Sequence, residues 1–529
     1  MATIPPRRAP LFRALSRRDF LAAMSTTALA WPFRQLPVIE AADREVNLKD
    51  YPFPLGVASG DPAPDGVVLW TRLTVDPLTP GGGMPQEDVQ VDWEVCSDEG
   101  MTRPVQSGSV TAHADWAHSV HVEVEGLEPD RVYWYRFRTG GEISPVGRTR
   151  TTPASGTLMD RLRFAFASCQ HYEQGYFTAY DHMSQEDLHA VIHLGDYIYE
   201  YGPDPRRPRL HNSPEIQTID DYRARHALYR SDEHLQAAHA AFPWILTWDD
   251  HEFDNNYANE VSEQDGIDPV EFMKRRAAAY KAYYEHMPLR RTCVPRGPMM
   301  ELYRNVDYGG LVRFNVLDTR QYRSDQPCND RSGTPCDGVF APDATLLGEQ
   351  QERWLQQRLK ESPTRWNVLA QQIMMARVDR RPGDGVAYSM DQWSGYDGAR
   401  NRLLQFLADN NISNPVVLTG DIHTNWANNL HVDFDRADQS PVVATEFVGT
   451  SISSGGDGSE TRRDTDSVYA ENPFVKFYNA ERGYVSCEVT PDEWKSDYKV
   501  VEYVTRPGAP CLTRASFRVE AGRPGIEHI

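Results

Sequence analysis

Positive charge is what this sequence is short of. Lys and Arg number 55 against 76 Asp and Glu, giving a net charge of −21. A surface built to hold nucleic acid needs the opposite balance, so that class is excluded and a soluble, self-repelling chain fits instead. Long hydrophobic runs are also missing. The apolar stretch at 20–33 is too short and too rich in Ala and Thr to span a bilayer comfortably, so no stable membrane anchor is expected. The glycine-rich segments at 381–385 and 455–458 lack the strand-to-helix context of a phosphate-cradling nucleotide motif. There is no internal repeat. What is present, 40% hydrophobic residues with 11% aromatics in 529 residues, is enough for large cores in two domains.

The N-terminus carries an address. Arg7, Arg8, Arg13, Arg17 and Arg18 precede the short apolar run, and Ala28-Leu29-Ala30 has the small-x-small form of a cleavage site. Ser16-Arg17-Arg18-Asp19-Phe20-Leu21 resembles a twin-arginine export signal. The expectation is a leader over 1–42, recognition by the twin-arginine export machinery, and a periplasmic, cell-wall-associated or secreted product. Cysteines are then placed where disulfides persist. Six of the seven have the option of pairing; Cys328 and Cys336, flanking a short polar loop, are the easiest pair, and Cys169 is the choice for the unpaired thiol.

Residues 43–153 read as a β-rich domain. Apolar or alternating runs at 67–70, 89–95, 119–124 and 132–137 are separated by Gly, Pro and Asp, and no long helix interrupts them. Leu127-Glu128-Pro129 followed by Tyr133-Trp134-Tyr135-Arg136 is similar to the corner of an immunoglobulin or fibronectin-like β-sandwich, with the aromatics packing rather than binding. From about 160 to 529 strands alternate with helices, which predicts an α/β catalytic domain.

Chemistry collects where strands stop in that second domain. The strand from Leu162 ends at Ser168-Cys169-Gln170, and the run from Ala190 ends in Gly195-Asp196-Tyr197-Ile198-Tyr199. The run from Trp244 ends in Asp249-Asp250-His251-Glu252, and the run from Val416 ends in Gly420-Asp421-Ile422-His423. Alone, each motif is a turn or a helix cap. Together they predict one site on one sheet edge, where converging carboxylates repel one another unless cations hold them.

The set resembles the metallophosphoesterase pattern, with ordered departures. Asp250-His251-Glu252 stands where Asn-His-Glu is usual, Asp421-Ile422-His423 where His-x-His is usual, and Ser168-Cys169-Gln170 where Asp-x-His is usual. Tyr199 is similar in placement to the tyrosinate ligand of purple acid phosphatases. With 57–62, 317–323 and 391–396, these features are similar to the alkaline phosphatase D family, which includes phospholipase D-type phosphodiesterases. The resemblance implies a metallophosphoesterase-like αββα sandwich behind the N-terminal β-sandwich, and hydrolysis of phosphate monoesters or diesters by a metal-activated hydroxide. Its implied cofactors are Fe(3+) and Ca(2+). Cys169, Asp196, Tyr199 and His423 form a mixed anionic set suited to ferric iron. Asp196 bridges to a hard cation held by Asp250 and Asp421. His251 is the candidate catalytic group for leaving-group protonation. Asp249, Asn255, Gln371 and Gln372 stay unassigned, and Asp318 with Arg320 is either a phosphate-binding pair or a buried ion pair. Two rivals stand beside this reading: a glycosidase carboxylate pair, which gives Cys169, Tyr199 and His423 no role, and a calcium-stabilised binding protein without turnover.

Overall fold

Three short strands, Leu162–Ala167, Ala190–His193 and Pro243–Leu246, lie side by side and parallel, pairing Phe166 with Ile192 and His193 with Leu246. Both faces are covered, which is why their sequences are nearly continuous apolar runs rather than alternations. The structure, a computed structural model, describes residues 50–529; the leader expected at 1–42 and residues 43–49 lie outside the described residues. The sheet continues from Pro243–Leu246 to Val57–Ala63, Gly66–Arg72 and Ser119–Glu125. On the other side, Leu162–Ala167 pairs with the end of Val475–Val489, followed by Glu493–Val501, Cys511–Glu520 and Arg523–His528.

A second sheet runs in the order Arg304–Tyr308, Val312–Val316, Trp366–Ala370, Pro415–Thr419, Val442–Val448 and Asn425–His431. Its last strand pairs with the beginning of Val475–Val489, so that single 15-residue strand belongs to both sheets. Between the sheets, Phe164, Phe166, Ile192 and Ile245 meet Phe314, Val368, Leu418 and Phe447 in one buried cluster. The alternate residues Ala165, Val191 and Trp244 face the other way, onto Tyr180, Tyr222, Tyr280 and Tyr283 of the helices Thr178–Ser184, Ile219–Arg230 and Pro269–His286. Leu369 and Val417 likewise face Leu355, Leu359, Leu403 and Leu407 of the helices Gly348–Lys360 and Asp397–Asp409. The period of two along each strand thus assigns its residues to two cores. Truncating Phe166 to Ala would open the space between the sheets at a cost of about 3–5 kcal/mol.

The fold is mixed α/β. Among the described residues up to 153 there is no α-helix. Val89–Cys96, Pro104–Ala112, Val132–Thr139, Glu142–Ile143 and Gly147–Arg150 make a separate five-stranded sheet. The Tyr133 hydroxyl accepts the Glu128 backbone N–H at 2.9 Å, closing the corner read from the sequence, and the Tyr133, Tyr135 and Phe137 rings are buried as packing. Buried Asp61, accepting from Arg304 Nε at 2.9 Å, ties the first strand to the start of the second sheet. Cys328 and Cys336 are bonded to one another. The option of three disulfides is not realised, because Cys96, Cys169, Cys293, Cys487 and Cys511 are free thiols. No helix among the described residues is long and apolar enough to cross a membrane.

Candidate functional site

The parallel strands end together, and their last residues turn sharply. Cys169, Asp196, Asp421 and His423 all have positive φ, at 59, 57, 63 and 54°. Such backbone costs about 1–3 kcal/mol per residue outside glycine and persists only where neighbours over-determine it. The neighbours here are backbone and carboxylate. Cys169 N–H donates to Gly195 O and Gln170 N–H to Asp196 O, each at 3.1 Å, while the Glu252 carboxylate accepts N–H bonds from Asp196, Tyr197 and Asp249. Gly195 is required at the crossing: its φ is +108°, and a Cβ there would lie 2.5 Å from the Asp249 backbone nitrogen.

These turns bring all six expected ligands together. Donor atoms of Cys169, Asp196 and His423 lie within 4.8 Å of one another, as do those of Asp196, Asp250 and His251, and those of Asp249, Asp250 and Asp421. Asp196 and Asp250 each belong to two of the groups. The Tyr199 hydroxyl donates to Asp196 Oδ2 at 2.7 Å and lies 3.3 Å from His423 Nε2. One expectation needs correction. Asp421 and His423 follow Pro415–Thr419, which belongs to the second sheet, so the site joins the ends of two facing sheets rather than one edge.

Burial sets the electrostatics. It pushes the Asp196 carboxyl and the Cys169 thiol well up, with neighbouring carboxylates adding to the effect, and does the same to the Tyr199 phenol beside Asp196. Asp421 is pushed up to about 6 by burial, against the pull of Arg320. Asp250 is the exception: burial is outweighed by Arg320 and His251, which hold it well below the usual carboxylate range. Three carboxylate oxygens, Asp196 Oδ1, Asp249 Oδ2 and Asp250 Oδ1, are buried without a hydrogen-bond partner. Orphaned buried acceptors in such number require compensation. A hard cation is the ligand that three anionic oxygens fit, and the neighbouring S, O and N donors of Cys169, Tyr199 and His423 suit a softer or ferric ion.

His251 borders the cluster, a ring nitrogen within 4.8 Å of Asp196 and Asp250 oxygens. Its Nδ1 is 2.8 Å from Glu200 Oε2, its ring stacks on Tyr199 at 4.2 Å, and burial is outweighed by Glu200, Asp196 and Asp250, which raise its pKa well above 6.5. Arg320 resolves as a buried ion network: fully buried, its guanidinium bonds Asp249, Asp391 and Asp421, the last two at 2.8 Å, and lies 3.6 Å from Asp250. Asp318 caps that turn by accepting the Arg320 and Gln321 backbone N–H groups. Gln371 and Gln372 lock strand ends through Thr419 and Thr247, and the Asn255 backbone is held by Glu200. Sequence patterning missed Glu200 and Ser454, which carry no local signal, whereas Glu252 and Asp391 lay inside quoted motifs without a role being given to them.

A second His-rich group, His171, Glu173 and His211, is buried and closely spaced. It does not fit a metal. His211 already bonds Tyr201 O at 2.7 Å and the Tyr229 hydroxyl at 3.0 Å, Arg225 lies 3.1 Å from its Nδ1, and Glu173 accepts two backbone N–H bonds.

Comparison with known proteins places the chain in a family. The profile of PhoD-like phosphatase matches residues 164–498, and that of its N-terminal domain matches residues 40–153. The chain belongs to the PhoD-like phosphatase family. Alkaline phosphatase D of Bacillus subtilis (strain 168) is 55% identical over 488 residues, covering 91% of this chain and 83% of that protein. The solved structure described as "Structure of PhoD" superposes with a TM-score of 0.89 at 55% identity, covering 91% of this chain and 93% of that one. In this PhoD-like chain the motifs at 168–170, 196–199, 249–252 and 421–423 all fall inside the matched catalytic segment.

Proposed function

We propose that this chain is an exported, metal-dependent phosphoesterase acting on phosphate monoesters or diesters, with Fe(3+) and Ca(2+) as its ions. Family membership makes it a phosphoric ester hydrolase. The finer architecture proposed is an αββα metallophosphoesterase core over 160–529, behind an immunoglobulin-like β-sandwich over 43–153 and a twin-arginine leader over 1–42. The observation that carries the metal reading is the trio of orphaned carboxylate oxygens on Asp196, Asp249 and Asp250 beside Cys169, Tyr199 and His423.

Bound cations supply charge that makes water a better nucleophile and offsets the phosphoryl oxygens during in-line displacement. The chain's own groups do the rest. Cys169, Asp196, Tyr199 and His423 would hold the ferric ion, and Asp196, Asp250 and Asp421 the hard one. Asp249, bound to Arg320 through one oxygen, keeps the other free toward the same cluster. His251, oriented through Nδ1 by Glu200, keeps Nε2 available to donate to a leaving-group oxygen. Glu252 joins the two loops so that Asp196 and Asp249 stay in register. A glycosidase pair is disfavoured, because the carboxylates crowd into one cluster instead of flanking a sugar.

The test is metal analysis with turnover measured on a monoester, a simple diester and a phospholipid. Stoichiometric iron with chelator-sensitive hydrolysis is expected. Asp250→Asn should lower calcium content more than iron, because it removes one negative charge from the all-oxygen set. Turnover that survives full chelation would sink the metal reading, and iron lost with calcium retained would reverse the ligand division.

A further inference from the structure

Two imidazoles pack against the Tyr199 ring. His251 stacks on it at 4.2 Å, and His171, tilted by 37°, lies at 4.3 Å between ring centroids. These contacts constrain the ring and leave the phenolic oxygen to be set by its hydrogen bonds. One runs to Asp196 Oδ2; the other comes from Ser454 Oγ at 2.7 Å. Ser454 follows the strand Val442–Val448 and is fully buried, on a segment that none of the ligand-bearing turns includes.

Ser454 is held from several sides. Its backbone N–H donates to Cys169 O at 3.2 Å, its backbone O accepts from Ser451 Oγ at 2.6 Å, and its Oγ accepts the His171 N–H at 3.1 Å. On its far side Gly455 has φ +91°, and a Cβ there would lie 2.8 Å from Arg482 Nη2, so only glycine fits. Asp457 then accepts the backbone N–H groups of Val504 and Thr505 at 2.7 and 2.8 Å.

We propose that Ser454 is a positioning residue for Tyr199, holding the phenolic oxygen against Asp196 and His423 and donating to it when it serves as a ligand. The proposal rests on the reading of Tyr199 as a metal ligand. The hydroxyl has one proton and two acceptors in reach, Tyr199 Oη and Cys169 O, each at 2.7 Å. Cys169 O has other donors, in the backbone N–H groups of Ser453 and Ser454. A phenolate oxygen has greater need of that proton, and a bond to an anion is roughly twice as strong as one between neutral groups.

The test is a double-mutant cycle on the metal-loaded full chain: wild type, Ser454→Ala, Ser454→Thr, Tyr199→Phe, and Tyr199→Phe with Ser454→Ala. Three quantities are read: iron retained against a competing chelator, the visible absorption maximum, and kcat and KM on p-nitrophenyl phosphate. Ser454→Ala should weaken iron retention by about tenfold, the scale of outer-sphere partners at metal sites. It should also move the visible maximum to longer wavelength, because a phenolate without its donor gives up electrons more readily. Ser454→Thr should restore both. In the Tyr199→Phe background Ser454→Ala should add nothing. Equal losses in both backgrounds would overturn the proposal, reducing Ser454 to loop packing. A Tyr199→Phe variant with unchanged iron and spectrum would overturn the ligand reading, and the proposal with it.

Discussion

Arg320 offers a severe test of how the site is held together. Its guanidinium is fully buried among Asp249, Asp250, Asp391 and Asp421, so Arg320→Met keeps much of the volume while removing the positive charge those four carboxylates share. Breaking a buried ion pair from one side costs about 3–5 kcal/mol, since the surviving charges stay buried. Unfolding entropy near 2.1 cal/mol/K per residue over roughly 480 residues gives about 1 kcal/mol/K, so metal-free protein should lose about 3–5 °C in Tm at pH 8.

The pH dependence gives that prediction its sign. Arg320 helps hold Asp250 well below the usual carboxylate range, and a depressed carboxyl contributes stability that is present above its unfolded pKa and lost as pH falls through the folded one. Asp249, held well up by burial, and Asp421, at about 6, take up their protons before Asp250 does. Each protonated carboxyl stops needing the arginine, so the gap between variant and wild type should narrow from pH 6 towards pH 4. Differential scanning calorimetry in chelator at pH 8, 6 and 4.5 measures it. A loss under about 1 °C at pH 8, or a gap that widens on acidification, would refute the idea that Arg320 balances this cluster.

Two further outcomes are expected. His226 is fully buried with neither ring nitrogen partnered, and burial, aided by Arg72, lowers its pKa to about 3. Stability is therefore lost as pH falls from 6.5, and His226→Phe should gain up to about 2.7 kcal/mol at pH 4.5 relative to its effect at pH 8, read by urea unfolding; equal effects at both pH values would contradict it. Replacing Cys328 and Cys336 with Ser opens a short loop and should cost at most about 2.5 kcal/mol, with iron, calcium and kcat unchanged.

The strand from Leu162, and the potential ligands placed where strands stop, were legible in the sequence because apolar runs and turn chemistry are local. So was the Cys328–Cys336 pair, for the same reason. The union of two sheets at the site was not, since nothing near Asp421 records that its strand pairs with Trp366–Ala370 rather than Ala190–His193. Nor was the sharing of one ladder between Val57–Ala63 and Pro243–Leu246. The roles of Arg320, Glu252 and Ser454 depend on contacts between segments separated by 71, 56 and 255 positions, to Asp249, Asp196 and Tyr199 respectively. An Arg, a Glu and a Ser are ordinary surface residues until packing removes water and leaves each to be satisfied by protein neighbours alone. Sequence alone determined which donors end the strands; only the tertiary structure decided which oxygens are left without partners, because desolvation belongs to the assembled core.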